Sequence, residues 1–115
     1  MPNEKTNNPS LYEFFRNTLD HCGLFLLHLS DEDIAWYLFE EFDTDCISFL
    51  HENILNQLCA AGKITQDTAN MSLVLSRKFR ALENTEVWNI GAVRTDPLWR
   101  EIFILSDEIK KKLQA

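Results

Sequence analysis

At 115 residues, 45% hydrophobic and 25% charged, the chain has the size and make-up of one folded domain with one core, not of a disordered or repetitive polymer. Its 18 acidic against 11 basic residues give a formal charge of −7, which argues against a nucleic-acid binder. No apolar run approaches the ~18 residues of a membrane span; the longest, Leu24 to Leu29 (LFLLHL), is interrupted by His28.

The first segment, Met1 to Pro9 (MPNEKTNNP), has no apolar run and holds two prolines, so a loose arm is expected there. It also lacks the hydrophobic region of a secretory signal. Ser10 caps a first helix, with Glu13 three residues on completing a capping box. Leu11, Phe14, Phe15 and Leu19 follow helical spacing, and Gly23 ends the element. Leu24 to Leu29 reads as a buried helical turn or connector, or else as a short strand. Ser30 starts a second helix, whose first turn of Asp31, Glu32 and Asp33 suits the positive end of the macrodipole. Its apolar face is Ile34, Ala35, Leu38, Phe39 and Phe42. A third helix is expected from about Asp45 to Ala61, with Ile47, Leu50, Ile54, Leu58 and Ala61 inward and Gly62 just past its end.

Thr65 caps a fourth helix, roughly Gln66 to Leu82, with Met71, Leu75, Phe79 and Leu82 inward. Asn84 to Thr95 is irregular, with a helical turn around Trp88 and Ile90. Asp96 followed by Pro97 is a strong helix start, and the last helix reaches about Leu113, burying Leu98, Ile102, Leu105 and Ile109. Lys110, Lys111 and Lys112 sit at its C-terminal end, where cations belong. Nothing alternates with period two, and no hairpin turn signal appears. The predicted fold is therefore all-α, an irregular bundle of four to six helices forming one domain over residues 10 to 115.

The charge is unevenly placed. Residues 17 to 62 contain nine carboxylates and no lysine or arginine, so this stretch carries −9 and the remainder +2. Such a block repels itself, and a protein that tolerates it uses it for solubility or aims it at a basic partner. On the second helix Asp33, Trp36, Tyr37, Glu40 and Glu41 fall at three- and four-residue spacing, opposite the apolar stripe. Aromatic rings among carboxylates have the composition of a binding hot spot: the charges steer a basic partner and the rings supply desolvated contact area. Asp31 precedes this set, and Asp43 and Asp45 extend it into the link to the third helix. The competing interpretation is that Trp36 and Tyr37 cover the Leu24 to Leu29 connector and that the carboxylates form a merely solvated face.

Chemistry finds little support. Glu40, Glu41, Asp43 and Asp45 lack the glycine and the ligand spacing of a calcium loop, since Cys46, Ile47 and Ser48 follow Asp45. His21, His28 and His51 show no zinc spacing and fit polar caps or surface positions. Cys22, Cys46 and Cys59 are odd in number and fit free thiols in a reducing cytosol. The isolated glycines Gly23, Gly62 and Gly91 supply no phosphate cradle, and there is no nucleophile elbow. No cofactor is expected. Arg77, Lys78 and Arg80 form a small basic cluster, suited to balancing the acidic block from within the molecule. Trp88 and Trp99 lie among apolar neighbours and are expected in the core.

Size, acidity, helicity, free cysteines and absent catalytic motifs together resemble a bacterial immunity protein. The class is that of the cognate inhibitors of contact-dependent growth inhibition toxins, with colicin-nuclease immunity proteins as a similar functional type. The segment Phe39 to Asp45 (FEEFDTD) carries most of the resemblance. It implies a cytoplasmic, non-enzymatic protein that binds the toxic C-terminal domain of an effector, commonly a basic nuclease attacking tRNA or DNA. The inhibitor then plugs the active site or sits on an adjacent surface. The expected contact residues are Asp31, Asp33, Trp36, Tyr37, Glu40, Glu41, Asp43 and Asp45, with no direct contact to nucleic acid or membrane. A regulatory adaptor or small helical chaperone is the second class and predicts an exposed apolar groove. A small enzyme with a His and Cys site is the third and predicts a pocket with a perturbed thiol or imidazole.

Overall fold

A computed structural model describes residues 10 to 114; the expected arm at Met1 to Pro9 lies outside them. Among the described residues there are helices and loops and no strand, an all-α irregular bundle. Helix α1 (Leu11–Asp20) begins on the predicted capping box: Ser10 N–H donates to Glu13 Oε1 at 2.8 Å and Glu13 N–H to Ser10 Oγ at 3.1 Å. Phe15 and Leu19 are buried, whereas Phe14 is turned outward to stack on Phe49. The helix ends at His21, two residues before Gly23, and a short 3-10 helix (Leu24–His28) follows. The connector is thus the helical turn rather than the strand.

Ser30 caps the next element, its Oγ accepting from Asp33 N–H at 3.2 Å. One uninterrupted helical rod then changes its winding twice. It is α2 over Asp31–Ile34, a π-helical segment over Ala35–Phe42, and α3 over Asp43–Phe49. Ile34, Asp43 and the other junction residues keep right-handed helical dihedrals, so no link separates the second predicted helix from the start of the third. Ile34, Leu38 and Phe42 face inward as expected, with Ala35 and Phe39 half-buried.

The expected single helix from Asp45 to Ala61 is corrected to two pieces. The rod stops at Leu50, where the backbone leaves helical values (φ −106°, ψ 34°), and α4 (Glu52–Ala60) starts afresh. His51 is the physical reason: its Nδ1 accepts from Asn53 N–H at 3.1 Å, acting as an N-cap. The reset changes the inward stripe to Leu50, Leu55 and Leu58, while Ile47 is 56% exposed and Ala61 is at the surface. Gly62 closes α4 as predicted, at φ 74°. Gly62 N–H donates to Cys59 O and Lys63 N–H to Leu58 O, the paired bonds of a Schellman motif.

Thr65 caps α5 (Gln66–Ala81), and Asn89 caps the short α6 (Ile90–Thr95). Helix α7 (Pro97–Gln114) opens on Pro97 as expected and lies along α5. Its buried stripe is Trp99, Ile102, Phe103, Ser106 and Ile109, one residue out of phase with the expected one at the start: Leu98 is 47% exposed and Trp99 takes the inward place. The core gathers Trp99, Phe42, Phe79 and Phe103 between α7, α5 and the rod. Trp99 Nε1–H donates to Val87 O at 2.7 Å, which satisfies the polar end of a fully buried indole.

Helix α7 also reaches back to the first turn of the chain. Ser106 Oγ donates to Cys22 O at 2.8 Å, Lys110 Nζ to the same carbonyl at 2.8 Å, and Leu24 N–H to Asp107 Oδ2 at 3.2 Å. A methyl group at Gly23 would run into the Asp107 carboxylate and the Lys110 ammonium, so those side-chain ends would have to swing aside and the bond from Leu24 N–H would be disturbed.

Candidate functional site

The capped start at Ser30 fixes the phase of the rod, and the π segment sets how its residues share faces. In that segment backbone bonds close over five residues: Asp43 N–H points to Leu38 O as well as Glu40 O. Trp36 and Tyr37 lie near the start of this segment, Glu40 and Glu41 near its end, and Asp45 one turn beyond. Trp36 and Tyr37 meet His21 at the C-terminal end of α1, Tyr37 also meets Phe25 of the 3-10 helix, and Glu41 and His21 both act on the Asp45 carboxyl.

Trp36 keeps 45% of its surface in solvent. Its ring meets Tyr37 edge-on, with centroids 5.0 Å apart, and His21 at 5.7 Å. Tyr37 is half-buried, packed on His21 at 5.4 Å and edge-on to Phe25 at 5.6 Å. The two aromatics therefore divide the alternatives between them. Tyr37 covers the connector, and Trp36 points outward.

His21 is 91% buried under these rings, being only 9% exposed. Its Nδ1 lies 2.8 Å from Asn17 O. A carbonyl oxygen only accepts, so Nδ1 carries a proton and donates it to Asn17, which leaves the other ring nitrogen unengaged by that carbonyl. Asp45 is half-buried nearby. Burial raises its carboxyl above the ordinary range, the neighbouring Glu41 carboxylate raises it further, and the His21 imidazole opposes both. Asp33 and Glu40 are exposed carboxylates on the same rod.

Two expected contact residues are engaged inside the molecule. Asp31 Oδ1 accepts from Arg94 Nη2 at 2.8 Å and Nε at 3.0 Å, while the same guanidinium donates to Leu29 O at 2.7 Å. Arg94 thereby ties α6 to the start of the rod. Asp43 is turned toward α5, where Arg80 Nη1 stands 3.8 Å from its Oδ1. Part of the basic cluster balances the acidic block as predicted, through Arg80; Lys78 pairs instead with Glu101 at 3.4 Å. The carboxylates left without an ion-pair partner among the described residues include Asp33, Glu40, Glu41 and Asp45. His21 and Phe25 were not among the expected site residues; only the folding of α1 and the connector against the rod brings them in.

A groove of about 390 Å³ lies between α3 and α5, where Ile47, Leu50 and Leu73 meet Ser76, Arg77 and Arg80. The Cys46 thiol lines it and donates to Ser76 Oγ at 3.4 Å. Burial pushes the Cys46 and Cys22 thiols well up from the ordinary range, the reverse of what activates a nucleophile. Among the described residues, no three His, Cys, Asp or Glu side chains stand close enough together to hold a metal ion. No described helix is long and apolar enough to cross a membrane. Comparison with protein-family models, curated proteins and solved structures yields no match to this chain.

Proposed function

We propose that this chain is an immunity-type inhibitor, a cytoplasmic non-enzymatic protein that binds and neutralises a cognate basic toxin domain. A nuclease domain suits the reading, because it must attract phosphates and so carries a positive groove. A concentrated negative face competes for that field and speeds encounter. The observation that carries the reading is Trp36, 45% exposed among carboxylates that no cation of the described residues neutralises. Exposed rings beside unspent charge form a contact surface without rearrangement of the core. The contact set is Asp33, Trp36, Tyr37, Glu40, Glu41 and Asp45. Asp31 and Asp43 stand at its margins, already paired with Arg94 and Arg80.

The test begins with a tagged pull-down from the native host at low and then high salt. Association kinetics of the recovered partner follow. Joint substitution Glu40→Gln, Glu41→Gln and Asp45→Asn is expected to slow association by about tenfold at low salt and flatten its salt dependence. Unchanged affinity and salt slope would sink the reading. The groove at Ile47 supports a second one, an adaptor that grips an amphipathic segment. There Ile47→Glu would abolish capture while the triple charge variant bound normally.

A further inference from the structure

Glu41 and Asp45 crowd one another on successive turns, and Asp45 is held partly out of water. Beside them the Trp36 ring is open to solvent on one side and rests edge-on against the buried His21 ring on the other. Two carboxylates and an exposed π face thus lie together, and no lysine or arginine of the described residues pairs with either carboxylate. Resting on the proposed binding role of this face, we propose that it receives an arginine side chain of the partner protein. Its guanidinium lies on the Trp36 ring and donates to Glu41 and Asp45.

The chemistry selects arginine among cations. A guanidinium is planar, so it stacks on an indole and still directs N–H groups in its own plane to acceptors at its edge. It offers five donors in a fixed fork, enough to serve both carboxylates while stacked; an ammonium is a strongly hydrated point charge with three. A hard divalent ion asks for about six or more oxygens, which two carboxylates do not supply. An apolar partner would strand the Asp45 and Glu41 charges, since burying an unpaired anion is costly. Arg94 shows the same grip elsewhere in this molecule, its fork shared between Asp31 and the carbonyls of Leu27 and Leu29.

The experiment titrates the full chain at low salt with three peptides of equal length: a Gly–Arg repeat, a Gly–Lys repeat and a Gly–citrulline repeat, the last planar but uncharged. The readout is the indole N–H resonances of the three tryptophans, assigned with Trp36→Phe. The arginine peptide is expected to move the Trp36 signal and leave Trp88 and Trp99 in place. It should bind at least about threefold more tightly than the lysine peptide and about tenfold more tightly than the citrulline one. Glu41→Gln with Asp45→Asn should remove most of the preference for arginine, with the Trp88 and Trp99 signals reporting that the core is intact. Equal binding of arginine and lysine peptides with a stationary Trp36 signal would overturn the arginine seat and leave the charge-steered face standing. Failure of both cationic peptides to bind would overturn the seat and the face together.

Discussion

The rod from Asp31 to Phe49 carries two aromatic clusters on opposite sides, and they are built to different standards. On the inner side Phe39 packs on Trp88 at 4.9 Å and on Trp99 at 5.9 Å, and Phe42 meets Phe79 edge-on at 4.8 Å. Trp99 is fully buried and its indole N–H is bonded. On the outer side Trp36 and Tyr37 meet each other, His21 and Phe25, but the largest ring remains half in water with carboxylates around it. The inner cluster has used its apolar area in folding. The outer one holds area in reserve, which only a further contact would bury.

That contrast can be broken by truncation. Trp99→Ala should cost about 3–5 kcal/mol, enough to unfold a marginal domain, and thermal denaturation would show it. Arg94→Ala comes next, at about 1–2 kcal/mol, because it leaves the Leu29 carbonyl and Asp31 without their shared donor. Trp36→Ala should cost about 1 kcal/mol or less, though its ring is the same size as that of Trp99. A loss as large as that of Trp99 would place Trp36 in the folding core and remove it from the contact surface.

The smallest effect has the opposite sign. Asp45 holds its proton more tightly in the folded protein than at its ordinary value of 3.8, through burial first and Glu41 second. Between that value and the higher folded one, the folded state binds more protons, so stability falls as pH rises through this window. The penalty is then complete at neutral pH. Asp45→Asn is expected to raise the melting temperature by about 1–4 °C at pH 7. The gain should fade as pH drops through 3.8 and vanish well below it, where Asp45 is protonated in both states. A gain that persisted at low pH would assign it to packing instead of charge.

What could be read from the chain was local. Ser10, Ser30, Thr65 and Pro97 mark helix starts through bonds within a turn, and Gly62 marks an end through its own dihedral, so those boundaries stand where the sequence puts them. The helical spacing put Trp36 and Tyr37 on the polar side of an amphipathic repeat but left open which of them points outward, because that depends on where the connector packs. The break at Leu50 was not. His51 is an unusual cap, and the apolar residues on either side mimic one continuous stripe. The π winding left no mark in a pattern read with a period of 3.6 residues. Nor could acidic residues in one block be sorted into spent and free. Asp31 depends on Arg94, 63 residues away, and Asp43 on Arg80, and such pairings are decided by packing.

The clasp between α7 and the Cys22 to Leu24 backbone has a consequence for how the protein is made. Its bonds join residues 83 to 88 positions apart, by way of Asp107, Ser106 and Lys110. The end of α1 and the turn that carries Phe25 are among the first described residues to leave the ribosome. Yet the groups that fix them are among the last. Until those emerge, His21 and Phe25 lack the support that seats them beside Trp36. The outer face is therefore a late product of synthesis, unfinished on any nascent chain that stops short of α7.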